Sequence, residues 1–212
     1  MSEVCAKLHA LCWSLPRFTF PFDAKGLPRN GIYVLFEQGE TGHGGDRIVR
    51  LGTHTGANQL PSRLQQHFVK ENKDRSIFRK NVGRALLERD GDPFLAQWEI
   101  DLTTSEAKAK HAALMDREKL RQTEQRVTDY IRRALSFTVF SVDDREQRMW
   151  WESRLIATVS VCDECRPSDA WLGLFSPKER IRESGLWLVN ELYKQPLSEA
   201  ELGLLEGIVR QG

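Results

Sequence analysis

No stretch of the 212-residue sequence approaches the roughly 20 consecutive apolar residues that a membrane-spanning helix requires. The N-terminus also lacks a basic segment leading into a long apolar run and a cleavage site, so no secretory leader is expected and a cytoplasmic location follows as the expectation. Cysteine is scarce: Cys5, Cys12, Cys162 and Cys165 are the four. The spacing Cys162-Asp163-Glu164-Cys165 can ligate zinc or form a redox pair, but no second Cys/His pair of suitable spacing is evident beside it, and reduced, structurally incidental thiols are expected. An excess of one charge is missing as well. With 31 basic against 30 acidic side chains and a net charge of +1, the chain is no polycation that grips nucleic acid over its whole surface. Internal repeats and low-complexity linkers are absent, so residues 1–212 read as one domain, long enough for a sizeable core.

What is present is concentrated between Asn30 and His67. Gly31-Ile32-Tyr33-Val34-Leu35-Phe36 is apolar and β-rich, Arg47 to Thr55 alternates polar with apolar residues, and Glu37 to Asp46 between them holds four glycines. That order predicts a β-hairpin. Leu60, Leu64 and Phe68 then recur at helical spacing, with Pro61 in the first turn, where its missing N–H costs nothing. Arg63 and His67 fall one turn apart on one face of that helix. From Arg47 to Arg89 basic residues far outnumber Glu71, Asp74 and Glu88, and Lys70, Lys73, Arg75, Arg79, Lys80 and Arg84 make a candidate face for a phosphate backbone.

This arrangement resembles the GIY-YIG nuclease family, in which a Gly-Ile-Tyr strand pairs with a Tyr-Ile-Gly strand, a helix carries an arginine, and a later helix supplies a metal-binding glutamate. Gly31, Ile32 and Tyr33 match the first element, while Arg50, Leu51 and Gly52 occupy the second with its tyrosine replaced. Arg63 falls where the family's arginine belongs, and Glu152 in Trp150-Trp151-Glu152-Ser153-Arg154 is the candidate glutamate. The likeness covers Gly31 to Phe68 well and Phe137 to Asp169 more loosely. It implies an α+β fold, a small antiparallel three-stranded sheet flanked by helices, with a core over 30–68 and 137–170, a mainly helical insertion over 74–135, and a C-terminal helical extension over 171–212. Relatives commonly place a polar residue, often asparagine, after the glutamate helix; Asp169 has the place and Asn190 the residue type.

Outside the hairpin, Glu3 to Trp13 predicts a short amphipathic helix, and Phe18, Phe20 and Phe22 alternate as a strand or covering segment would. Asp74 to Leu87 predicts a second helix, Phe94 to Leu102 a short strand, and Thr103 to Leu135 one long helix with sparse apolar positions at Leu114, Leu120, Val127 and Ile131. The exposed side of that long helix suits DNA or a homodimer contact. Phe137 to Val142 restores a strand, Asp143-Asp144 opens the helix bearing Glu152, and Pro177 and Ser198 mark two later helix starts.

The resemblance implies a metal-dependent DNA endonuclease. Tyr33 would act as a base toward water or orient it; a free phenol has a pKa of about 10, so it needs cationic or proton-accepting neighbours, for which Arg50 and His54 are the candidates. Arg63 would neutralise charge developing on the phosphate, and His67 would support the phosphate or the leaving group. Glu152 would hold one divalent ion, Mg²⁺ or another such as Mn²⁺. The competing reading is a noncatalytic nucleic-acid-binding or assembly module that retains the scaffold.

Overall fold

An alternating strand whose two sides are both apolar needs a helical layer on each side, and Gly31 to Phe36 is such a strand. The computed structural model describes residues 2–111 and 115–211. Strands β1 (Phe18–Thr19), β2 (Gly31–Gly42), β3 (Gly45–Gly52) and β4 (Leu135–Ser141) form one antiparallel sheet in the order β1-β4-β2-β3. The sheet has four strands where three were expected. The added one comes from the aromatic lead-in: Phe18 pairs with Phe137 and stacks on its ring.

Thirteen-residue helix α1 (Ser2–Ser14) precedes the sheet, and α2 (Leu60–Phe68), α3 (Ile77–Arg89), α4 (Leu95–Trp98), α5 (Ser105–His111) and α6 (Arg117–Ala134) lie between β3 and β4. After β4 come α7 (Arg145–Ser160), α8 (Glu179–Ser184) and α9 (Glu199–Gln211). Tyr33, Leu35 and Val49 face a core completed by Leu64, Phe78 and Ile131 from α2, α3 and α6. Ile32, Val34, Phe36 and Ile48 face a second core with Leu8, Leu155 and Leu205 from α1, α7 and α9. Both glycines of the opening motif are dictated by close approach. A Cβ on Gly31 would stand 2.1 Å from the Phe140 carbonyl oxygen across the β2–β4 pairing, and one on Gly52 would stand 2.2 Å from the Tyr33 hydroxyl.

Strict alternation in β3 breaks at one place. Leu35 pairs with Arg50, yet Phe36 pairs with Ile48, so Val49 is the extra residue of a bulge. Val49 and Arg50 consequently both serve the α2–α3 side of the sheet, where Arg50 lies over the Phe78 ring. β3 is also an edge strand, and the C-terminal segment partly covers it: the Trp187 N–H donates to the Val49 carbonyl at 2.8 Å.

Two expectations between α3 and β4 fail. Phe94 to Leu102 is the short helix α4 with flanking turns, not a strand, because Asp92 accepts a hydrogen bond from the Phe94 N–H, and Trp98 fills the space over Gly83 while donating to the Lys80 carbonyl. Thr103 to Leu135 is not one helix but α5 and α6, the second started by Asp116, whose carboxylate accepts from the Lys119 N–H. Leu114 lies outside the described residues. The apolar stripe of α6 is consumed within the chain, with Val127 and Ile131 wholly buried, so it supplies no argument for a homodimer. No helix among the described residues is long and apolar enough to cross a membrane.

Candidate active-site cleft

The edge position of β3 lets side chains from both faces of the sheet meet around it. Arg50 comes from β3, Arg63 from α2, Asn81 from α3, Glu152 from α7, and Asn190 and Glu191 from the segment after α8; together they line a cleft of about 410 Å³. Asp144 caps α7 by accepting from the Gln147 N–H, which sets the start of the Glu152 helix. Glu152 is then held at the end of β3, where one carboxylate oxygen accepts from the Thr53 N–H at 3.0 Å. Burial raises its pKa above the ordinary carboxylate range, opposed by Arg50, the Thr53 N–H and Arg63.

Two arginines approach the same space from the opposite layer. Arg50 is only 6 % exposed and is tethered twice, through Nε to the Tyr33 hydroxyl at 3.3 Å and through Nη1 to the Trp187 carbonyl. Arg63 is braced through Nη1 by Gln66 and by the Arg75 carbonyl, each at 3.2 Å. It stands between the cleft and a smaller cavity of about 250 Å³ lined by Thr53, His54, Gln59, Ser62 and Gln66. Asn81 accepts from Arg84 through Oδ1 at 2.6 Å, while its buried Nδ2 has no partner among the described residues.

Tyr33 is not on the cleft wall. Its ring is fully buried, and its hydroxyl joins a chain in which it contacts His67 Nε2 at 2.9 Å while His67 Nδ1 contacts the Ser76 hydroxyl at 2.8 Å. Ser76 is the N-cap of α3 and accepts from the Arg79 N–H, so the chain ties β2 to both α2 and α3. Burial holds the His67 pKa well below its ordinary value, and Arg63, Arg50 and Arg79 push the same way; the imidazole is neutral. His54 is likewise committed. Its Nδ1 donates to the Gly56 carbonyl at 2.6 Å and its Nε2 accepts from the Gly31 N–H at 3.3 Å, and burial lowers its pKa. With both nitrogens engaged, His54 fastens the start of β2 to the loop after β3.

The candidate basic face divides in two. Arg79 is fully buried against Glu124, with Nη2 at 2.7 Å from the carboxylate, Arg84 pairs with Glu99 at 2.5 Å, and Lys73 binds Asp74 and the Ile100 carbonyl while 2 % exposed. These three are corrected from surface to interior cations: Arg79 joins α3 to α6, Arg84 joins α3 to the turn after α4, and Lys73 joins the α2–α3 connection to that turn. Lys80 is half-buried and donates to the Glu99 carbonyl at 2.9 Å, whereas Lys70 and Arg75 are exposed, Arg75 with its carbonyl on Arg63. Of the two late polar residues, Asn190 lines the cleft and Asp169 is exposed on the loop before Trp171.

Asn81 and Glu191 are cleft residues that sequence reasoning passed over. Asn81 carries a weak signal, an amide among the apolar and basic residues of α3; Glu191 carries none, since its place depends on how the C-terminal segment crosses the β3 edge. No curated protein and no solved structure matches the chain. A family model described as the GIY-YIG domain matches residues 17–212, which takes in the sheet, the arginine helix, the glutamate helix and the C-terminal segment that supplies Asn190. The chain therefore belongs to the GIY-YIG domain family.

Proposed function

We propose that this protein is a divalent-metal-dependent endonuclease that hydrolyses DNA phosphodiester bonds in the cleft around the β3 edge. The observation that carries the reading is the sorting of donors and acceptors there: Arg50, Arg63 and Asn81 share one cleft with the carboxylate of Glu152. A phosphodiester needs donors for its non-bridging oxygens and a cation near its leaving or attacking oxygen, and this cleft offers both classes of group.

The donor set fits a hard cation. Glu152 keeps one oxygen beyond that bonded to Thr53 and Asn190 brings another, while both Glu191 carboxylate oxygens accept from Lys194 at 2.8 Å; such oxygen donors suit Mg²⁺ or Mn²⁺ rather than a thiophilic metal. Glu152 would hold the ion, which when bound supplies a water of lowered pKa and a positive charge beside the phosphate. Arg63, with Nε and Nη2 free of hydrogen bonds among the described residues, orients the phosphate and stabilises charge on its oxygens. Arg50 Nη2 is similarly free, so the arginine that replaces the second motif's tyrosine adds a phosphate donor. Tyr33 acts through Arg50: its hydroxyl accepts from Nε and fixes where the guanidinium points. His67 sets the phenol's orientation from behind.

Cleavage of supercoiled and linear DNA with Mg²⁺ and with chelator is the direct test. Glu152→Gln should abolish metal-dependent cleavage, and Arg63→Ala should lower the rate by about 10²–10³-fold with an unchanged fold. Binding of DNA by the wild type without cutting, across divalent metals and substrates, would overturn the reading. It would favour the second one, a noncatalytic DNA-binding module, for which the buried Tyr33 and the replaced second-motif tyrosine speak.

A further inference from the structure

Outside the cleft, four thiols and imidazoles meet where α1, the tip of the β2–β3 hairpin and the turn after α7 come together. One ligand atom from each of Cys5, His9, His43 and Cys165 lies within 4.8 Å of the others. Cys5 and His9 are one helical turn apart on α1, His43 sits at the hairpin tip, and Cys165 closes the Cys162-Asp163-Glu164-Cys165 turn. The partners that the Cys162/Cys165 turn lacks nearby in sequence are thus Cys5 and His43, brought to it by the fold; Cys5 and Cys165 are 160 positions apart. We propose that this cluster is a structural zinc site, with Cys5, His43 and Cys165 as three ligands and Cys162 as the fourth.

The distances suit a tetrahedral ion. Zinc bonds of about 2.3 Å to sulfur and about 2.0–2.1 Å to nitrogen place two sulfurs about 3.8 Å apart and a sulfur and a nitrogen about 3.5 Å apart. Here Cys5 Sγ to Cys165 Sγ is 3.6 Å, Cys165 Sγ to His43 Nε2 is 3.5 Å, and Cys162 Sγ to the same nitrogen is 3.3 Å. All four cysteines are free thiols and buried, so no disulfide competes for these sulfurs. The sulfur-rich donor set selects zinc over the oxygen-seeking ions suited to the cleft.

His43 is built as a ligand. Its backbone has φ 54°, in the left-handed region that most side chains avoid, and although it sits on a hairpin tip its side chain is 3 % exposed. Nδ1 lies 3.3 Å from a Glu164 carboxylate oxygen, which fixes the tautomer with the Nε2 lone pair toward the two sulfurs of the Cys-x-x-Cys turn. A carboxylate behind a ligating imidazole is the usual supporting partner of a zinc-bound histidine. His9 is placed otherwise. Nδ1 donates to the Cys5 carbonyl at 2.9 Å, and Nε2 accepts from the Ile48 N–H at 3.3 Å, although it is also 3.8 Å from Cys165 Sγ. With both nitrogens engaged, His9 buttresses the site and leaves the fourth position to Cys162.

Such an ion would bind three separate pieces of chain: the N-terminal helix, which precedes the family match at residue 17, the hairpin, and the C-terminal end of the Glu152 helix. The inference stands apart from the nuclease reading, because its readout is metal content and stability rather than cleavage. The full chain, produced with zinc in the medium and dialysed extensively, should retain about one zinc per molecule by elemental mass spectrometry. Cys165→Ser and His43→Gln should lose it, Cys162→Ser should lower occupancy, and His9→Gln should keep it. Cobalt(II) loaded into the apo wild type should show tetrahedral d–d bands and thiolate charge transfer, a signature that does not depend on whether a variant folds. No retained zinc together with no charge-transfer band would overturn the site. Loss in His9→Gln with retention in Cys162→Ser would overturn the assignment of the fourth ligand.

Discussion

Tyr33 Oη has two polar neighbours, Arg50 Nε at 3.3 Å and His67 Nε2 at 2.9 Å, and it owes its room to the bare Cα of Gly52. Tyr33→Phe deprives both buried neighbours of a partner and should cost about 1–3 kcal/mol of stability. Urea denaturation would measure that, and DNA cleavage should slow while its Mg²⁺ dependence stays unchanged, as expected of a residue that acts through Arg50. A Tyr33→Phe protein that cleaves at the full rate would remove the phenol from the site's machinery. His67 makes a separate prediction for pH. Its native pKa lies well below the unfolded value of 6.5, so the unfolded chain binds the extra proton first as pH falls. The stabilisation is therefore complete above pH 6.5 and is lost below it, down to the depressed native pKa. The urea midpoint should fall from pH 7.5 to about pH 5.5, and His67→Gln should reduce that slope.

Helix α3 reads in sequence as a basic face for DNA, yet its cations serve two different purposes. Arg79 sits between α3 and α6, donating to the Glu124 carboxylate, the Thr128 hydroxyl and the His67 carbonyl. Removing one partner of a buried ion pair strands the other, so Arg79→Ala should destabilise the protein by about 3–5 kcal/mol. Arg75 and Lys70 are exposed on the α2–α3 connection, Arg75 beside Arg63. Arg75→Ala should leave the thermal midpoint nearly unchanged and weaken DNA binding with a shallower salt dependence, since a protein that neutralises fewer phosphates displaces fewer counterions on binding. Filter binding across a salt series, set beside calorimetry of both variants, separates these roles. An Arg79→Ala protein of wild-type stability would show that the ion pair is not what joins the helices.

At the scale of the molecule, the cleft exists because β3 is an edge strand and the chain crosses that edge a second time. Leu186 and Leu188 enter one core and Trp187 the other, with the Trp187 indole donating to buried Glu37 at 2.8 Å, so the crossing segment is locked on both sides of the sheet. This is what brings Asn190 and Glu191 beside Glu152. Asn190→Ala should therefore reduce cleavage, by about 10-fold for removal of a single polar group from the cleft, and Asp169→Ala should leave it unchanged. Equal effects of the two substitutions in a steady-state assay would reject the placement of the late polar residue on the cleft.

The local sequence by itself determined the hairpin, the arginine helix and the glutamate helix, because these depend on nearby signals: alternation in Gly31 to Phe36, Pro61 at a helix start, and Asp144 as a cap. It also carried enough order among Gly31-Ile32-Tyr33, Arg63 and Glu152 to point to the family. The tertiary structure alone decided what those signals leave open. Whether a basic residue faces solvent or an acid depends on the helix packed against it, as Arg79 and Glu124 show across 45 positions of sequence. Whether a tyrosine reaches the cleft or stands behind an arginine depends on strand register and the bulge at Val49. Cys5, His43 and Cys165 become neighbours only when three elements converge, because spacing along the chain does not encode distance between separate pieces of it.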